Sequence, residues 1–187
     1  MRNLLRLPAF LLVLASFPYM ARADTMARAG ALTGLDAMTS TVLQKGQSSF
    51  SGIGLRARLH PEQLVKQVEL MPSFEYWRNT NTVHPYGIHS MRKDATLALD
   101  ARYLFSPKGW NPYVGAGFAV HFLSWKVDAP SLGIHDVNDS VIKGSLGALA
   151  GMTFVLSGRL DNFFELKYHH LTDNEQLKIN WGLSYKL

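Results

Sequence analysis

No cysteine occurs among the 187 residues. That one absence removes disulfides, Cys-ligated zinc, iron–sulfur clusters and thiol catalysis together. Charge is also scarce, with Asp, Glu, Lys and Arg making up 18% of the chain. Beyond the first two dozen residues no stretch approaches the roughly 18 consecutive apolar residues of a membrane helix, and helical periodicity is poor throughout. What is present is hydrophobic (47%) and aromatic (11%), too apolar for a disordered chain and of a length that fits one domain. The formal charge is +5, but the basic residues form no stripe, so nucleic acid is excluded as a partner.

Residues 1–23 read as a cleaved secretory signal. Arg2 and Arg6 supply the basic start, Leu7 to Met20 an apolar run interrupted by Pro8, Ser16 and Pro18, and Ala21-Arg22-Ala23 a small-x-small cleavage site. The domain proper then spans 24–187. Losing the signal takes three Arg and no acid, leaving 16 basic residues against 14 acidic ones, or +2.

The remainder alternates with period two over about ten residues at a time, the signature of strands with two unlike faces. Val68, Leu70, Pro72, Phe74 and Tyr76 share a face, as do Leu97, Leu99, Ala101, Tyr103 and Phe105. So do Val114, Ala116, Phe118, Val120 and Phe122, and later Leu146, Ala148, Ala150, Met152, Phe154 and Leu156. Two C-terminal segments, around Phe164–Tyr168 and Leu177–Leu187, and one around Ile53–Leu59 behave alike. A first strand near Gly30–Val42 has only Leu32, Met38 and Val42 in phase. The total is eight strands, an even number that lets an up-and-down sheet close with both ends on one side.

The connections alternate in length. His60–Gln63, Ser106–Gly109 and Ser157–Asp161 are turn-like, whereas Trp77–Met91 and Lys126–Asp139 are long, and Thr172–Gln176 is short. Short turns with both termini belong to the periplasmic side of an outer-membrane barrel and the longer loops to the outside.

A soluble barrel buries its apolar face, and a membrane barrel inverts that. Here the polar face carries Arg56, Arg58, Glu69, Glu75, Asp94, Asp100, Arg102, Lys143, Glu165, Lys167, Lys178 and Lys186, both signs together, as a closed lumen can neutralise. The apolar face carries aromatics near strand ends (Phe74, Tyr76, Tyr103, Phe105, Tyr168, Tyr185), and Trp77, Trp110 and Trp125 fall at loop boundaries, the places of interfacial girdles. The expected fold is therefore all-β: an eight-stranded antiparallel up-and-down transmembrane barrel.

The stretches Ala101-Arg102-Tyr103-Leu104-Phe105 and Trp110-Asn111-Pro112-Tyr113-Val114-Gly115-Ala116-Gly117-Phe118 resemble the mid-barrel hairpin of the OmpA/OmpW-like superfamily of small outer-membrane barrels. Leu166–His170 with Gly182–Leu187 resembles their closing hairpin, although the chain ends on Leu187 where Phe is usual. The resemblance implies an outer-membrane location in a Gram-negative bacterium, contact with outer-membrane lipid, and insertion by the barrel-assembly machinery.

Several residues are candidates for chemistry. His169 and His170 are adjacent on a strand, point to opposite faces, and cannot chelate one ion together. His170-Leu171-Thr172 places a base and a hydroxyl two residues apart, in a position similar to the His-x-Ser-Asn motif of PagL-type lipid A deacylases. It departs in having Thr172 for the nucleophile and Asp173 for the Asn, and the last strand offers Lys178, Ile179 and Asn180 where an acid is expected. His84, His89 and His135, with Asp136 and Asp139, read as solvated loop residues rather than a cation site. Gly115-x-Gly117 lacks the helix start of a nucleotide motif. No catalytic, cofactor or metal set is assigned. The sequence reads as a structural or interaction protein with a salt-bridged, non-conducting lumen and exposed loops. An acyl hydrolase acting through His170 and Thr172 is the alternative, and a narrow channel the third reading.

Overall fold

The computed structural model describes residues 32–44, 49–61, 64–83, 87–105, 110–172 and 175–187. The signal at 1–23, the turn at 106–109, His84 and Asp173 lie outside them. Eight strands follow in chain order: β1 (Leu32–Gln44), β2 (Phe50–Leu59), β3 (Val68–Val83), β4 (Ile88–Leu104), β5 (Trp110–Ala129), β6 (Ile134–Ser157), β7 (Leu160–Leu171) and β8 (Gln176–Lys186). Each pairs antiparallel with its neighbours, and β8 pairs with β1, closing the barrel.

The register defines the barrel's shape. Asp161 pairs with Ser184, Ser184 with Asp36, and the row continues through Arg56, Ser73, Ala98, Ala119 and Ser145 to Leu171. One circuit thus returns to β7 ten residues beyond its start, a shear of ten for eight strands. That offset demands strands tilted by about 35–45° and an interior that side chains fill.

The faces are inverted relative to a soluble protein. Leu97, Phe118 and Leu146 are 43%, 56% and 72% exposed, while Arg102, Lys167 and Glu165 are almost wholly buried. The bulky apolar face turns outward on every strand and the ionised face lines the bore, the arrangement of a barrel that spans a membrane. Space in the bore is shared between large and absent side chains. Tyr113 on β5 sits opposite Gly151 on β6, where a Cβ would come within 2.6 Å of the tyrosine ring.

Four features differ from the sequence reading. In β1, Met38 and Val42 point into the bore with Asp36, Ser40 and Gln44, while Leu32 lies outside. A register shift between Leu32 and Gly34 breaks the phase that appeared to join them. The long loops are mostly strand. β3 and β4 continue their ladder to the pair Val83 and Ile88. β5 and β6 stay paired to Val127 and Val137, ending in a 3-10 turn at Pro130–Leu132. His89 and His135 accordingly stand on strands. Trp77 faces the bore rather than the interface, 3% exposed and stacked 4.3 Å from Phe50. Finally, the β2–β3 connection is longer than His60–Gln63 and runs to Gln67, whereas β6 and β7 are joined by Gly158 and Arg159 alone, with Gly158 at φ 39°.

Candidate functional site: a salt-bridged bore and an uneven outer rim

The bore is layered because inward positions recur every second residue and the shear sets which strands meet at each height. Near the periplasmic end, Met71, Tyr113 and Leu149 form an apolar layer, with Leu104 against it. Arg102 stacks over the Tyr113 ring at 4.7 Å and donates to Glu69 at 2.6 and 2.9 Å. Above it, Arg56 bridges Asp36 and Glu165, each at 2.8 Å, and lies 4.6 Å over Phe163. Glu165 also accepts from Tyr113 and Asn180, both at 3.0 Å. Lys167 donates to Asp100 at 2.6 Å and Glu75 at 3.3 Å, and Lys178 donates to the other Glu75 oxygen.

Two acids in this network were not singled out from the sequence: Asp36, which also meets Arg58 at 3.2 Å, and Asp161, which receives Lys186 at 2.8 Å. With them, among the described residues, the bore and its mouths carry seven acids (Asp36, Glu69, Glu75, Asp94, Asp100, Asp161, Glu165). Seven bases balance them: Arg56, Arg58, Arg102, Lys143, Lys167, Lys178 and Lys186. Asp36 was hidden by the misphased first strand, and Asp161 by its assignment to a turn.

A second chain of groups lies one level further out. Asp94 Oδ2 is 2.8 Å from His121 Nδ1, His121 Nε2 is 3.0 Å from Ser145 Oγ, and Ser145 Oγ is 3.0 Å from His169 Nδ1. Thr96 donates to the other Asp94 oxygen at 3.1 Å. If His121 Nδ1–H donates to Asp94, its Nε2 accepts the Ser145 proton and Ser145 accepts from His169. The connectivity is that of an acid–base–hydroxyl triad, but the next inward residues on the same strands, Leu123 and Leu171, join Val42, Phe50 and Trp77 in an apolar cap directly above. All the triad-like groups are at most 7% exposed, so here the chain ties β4, β5, β6 and β7 together. Nothing but strand parity signalled it in the sequence, because the four residues lie on four strands.

The groups at the outer rim are arranged differently. His170 points away from the bore, 68% exposed at its side chain, and Thr172 is exposed in the turn that follows. The acid absent from the last strand is present in the turn: Glu175 lies 3.7 Å from His170 Nδ1. Glu175 also lines a shallow groove of about 320 Å³ with Leu43, Gln44, Tyr168 and Leu177. Among the described residues, no cluster of three or more His, Asp or Glu is placed to hold a metal ion.

The rim is uneven in height. Ser145 is the last β6 residue partnered by β7, and Trp77 the last on β3 partnered across by β2, at Gly52. Beyond these points, among the described residues, only β3, β4, β5 and β6 continue, as a four-stranded sheet in which β3 and β6 gain no further ladder partner on their outer sides. At about 3.3 Å per residue and a tilt near 40°, the β5–β6 hairpin stands roughly 25 Å above the rim.

Neither a family model nor a curated protein matches the sequence. Solved structures do match. The chain superposes on neisserial surface protein A with a TM-score of 0.60 at 17% identity, over 84% of this chain and 97% of that one. It superposes on Ail, the attachment invasion locus protein of Yersinia pestis, with a TM-score of 0.59 at 17% identity, over 84% and 99%. For the N-terminal β-barrel domain of Pseudomonas aeruginosa OprF the values are 0.51, 16%, 84% and 99%. The fold is that of the small outer-membrane barrels. A further structure holds Ail in complex with the heparin analogue sucrose octasulfate.

Proposed function

We propose that this chain is an integral outer-membrane barrel that conducts nothing and acts through what it presents outside. Its partners are the outer-membrane lipid around its belt, the barrel-assembly machinery during insertion, and a surface partner met by the β3–β6 sheet. The observation that carries this reading is the pairing of a bore occupied by two apolar layers and a network of ion pairs with a sheet that outgrows the barrel on one side only. A purely structural staple would not need strands so much longer than the nine to eleven residues that cross a membrane.

Protease added to intact cells tests the sidedness. Cleavage is expected near Pro130–Gly133 at the hairpin tip and not at Gly158–Arg159, and cleavage at Gly158–Arg159 in sealed cells overturns the orientation. Planar-bilayer recording tests the closed bore. The refolded protein should give no steps, and a reproducible unitary current would make it a channel.

A second reading, acyl-chain hydrolysis at the rim, keeps one supporting observation: the His170–Glu175 approach beside an apolar groove that opens toward lipid. Fatty-acid release from outer-membrane lipid by the refolded protein, lost in His170→Ala, would establish it. Identical lipid profiles with and without the protein would dismiss it.

A further inference from the structure

The outward face of the protruding sheet changes character within one residue row. The row Tyr76, Ala95, Phe122 and Ile142, paired across β3, β4, β5 and β6, closes the apolar belt. The next row outward is Arg78, Lys93, Ser124 and Ser140, again paired in order and on the same outer face. Lys126 follows one row further out on β5. Arg78 and Lys93 are thus directly opposite each other across a ladder. Like charges so placed are unfavourable on their own, and neither has an acidic partner among the described residues. Among the described residues, no acid stands on this outer face until Asp128, two rows beyond. Inside the barrel the opposite practice holds, since every buried Lys and Arg meets a carboxylate.

We propose that the Arg78–Lys93–Ser124–Ser140 row is a binding site for the phosphate groups of outer-leaflet glycolipid. The inference rests on the outer-membrane reading and deepens it by naming the lipid group and the residues. Two cations and two hydroxyls in one row offer charge and hydrogen-bond donors to a phosphate oxygen shell. Their position one row above the apolar belt sets them at headgroup depth, where a cation near an anionic surface gains the most. The site faces laterally, toward lipid. A polymer approaching from the medium would meet the sheet's tip and concave face first, so the lipid is the source the placement favours.

The refolded barrel, in nanodiscs of uncharged lipid, is titrated with bisphosphorylated lipid A and with the same lipid after phosphate removal. Wild type should bind the phosphorylated form at least about tenfold more tightly, less so at high salt. Arg78→Glu with Lys93→Glu should erase that difference. Lys66→Glu with Arg159→Glu, exposed at the opposite end, should leave it intact. Equal affinity of wild type for both lipids overturns the proposal, as does undiminished discrimination in the Arg78/Lys93 variant. Binding of soluble heparin that the variant abolishes, without lipid discrimination in wild type, also overturns it and reassigns the row to sulfated polysaccharide. A heat-dependent shift of unboiled protein on a gel reports the folded barrel separately. Failure there counts against the membrane barrel itself, not against the row.

Discussion

At the scale of single residues, the bore places ionised groups where water is largely excluded. Attraction between them is opposed by desolvation, and the balance makes single deletions costlier than paired ones. Arg56 is the sharpest case. Without it Glu165 keeps only the neutral donors Tyr113 and Asn180. Arg56→Leu is expected to cost about 3–5 kcal/mol, and adding Glu165→Gln to recover most of it, as read from urea unfolding in detergent micelles by tryptophan fluorescence. If the double variant is no more stable than Arg56→Leu, the network is not held by charge neutralisation. Ser145→Ala tests the neighbouring hydrogen-bond chain. It strands His121 Nε2 and His169 Nδ1 together, so a loss of about 1–3 kcal/mol is expected, with lipid composition untouched. Most inward charges were readable from the sequence, because a charge on a strand whose other face is greasy has one place to go. Their partners were not, since Arg56 and Glu165 lie 109 positions apart and only the shear brings them level.

At the scale of elements, alternation identified all eight strands but misjudged where four of them stop. The residues beyond the rim mix polar and apolar types on both faces, as Lys126 beside Trp125 and Val127 on β5 and Asn138 beside Val137 on β6 do, and such a segment carries no period-two signal even while its backbone stays paired. β1 failed for the converse reason. Its inward set mixes Met38 and Val42 with Asp36 and Ser40, and Val42 belongs to the outer apolar cap, so hydrophobicity no longer marks the outside. Since residues 128–136 lie well beyond Ser145, the last β6 residue partnered by β7, and pair only within the protruding sheet, removing 128–136 and rejoining the strands with a two-residue turn should leave the urea midpoint of the barrel unchanged. A midpoint that falls with the deletion would mean the sheet supports the barrel rather than standing on it. Gly151→Val, within the closed wall, should do the reverse. Its side chain must displace the Tyr113 ring and meets the Phe164 carbonyl, 2.5 Å from the Cβ position, for a loss of about 1–3 kcal/mol.

At the scale of the whole molecule, the proposed non-conducting bore rests on a stack of three unlike layers rather than one gate. The outer cap of Val42, Phe50, Trp77, Leu123 and Leu171 excludes water by apolar packing. The middle is occupied by ion pairs whose side chains bridge opposite walls, as Lys167 on β7 reaches Asp100 on β4 and Glu75 on β3. The inner layer closes again around Tyr113, Met71 and Leu149. Opening one layer leaves the other two, because no residue belongs to both the cap and the inner layer and the charged wall between is braced by its own pairs. Phe50→Ala with Trp77→Ala should therefore destabilise the protein by several kcal/mol, as large aromatic truncations do, while planar-bilayer traces stay silent. A current appearing in that double variant alone would show that the aromatic cap is the only barrier and the ionic layer is permeable. A current appearing only when Lys167→Met is added would show that the charged middle blocks the bore and that the inner layer of Tyr113, Met71 and Leu149 does not.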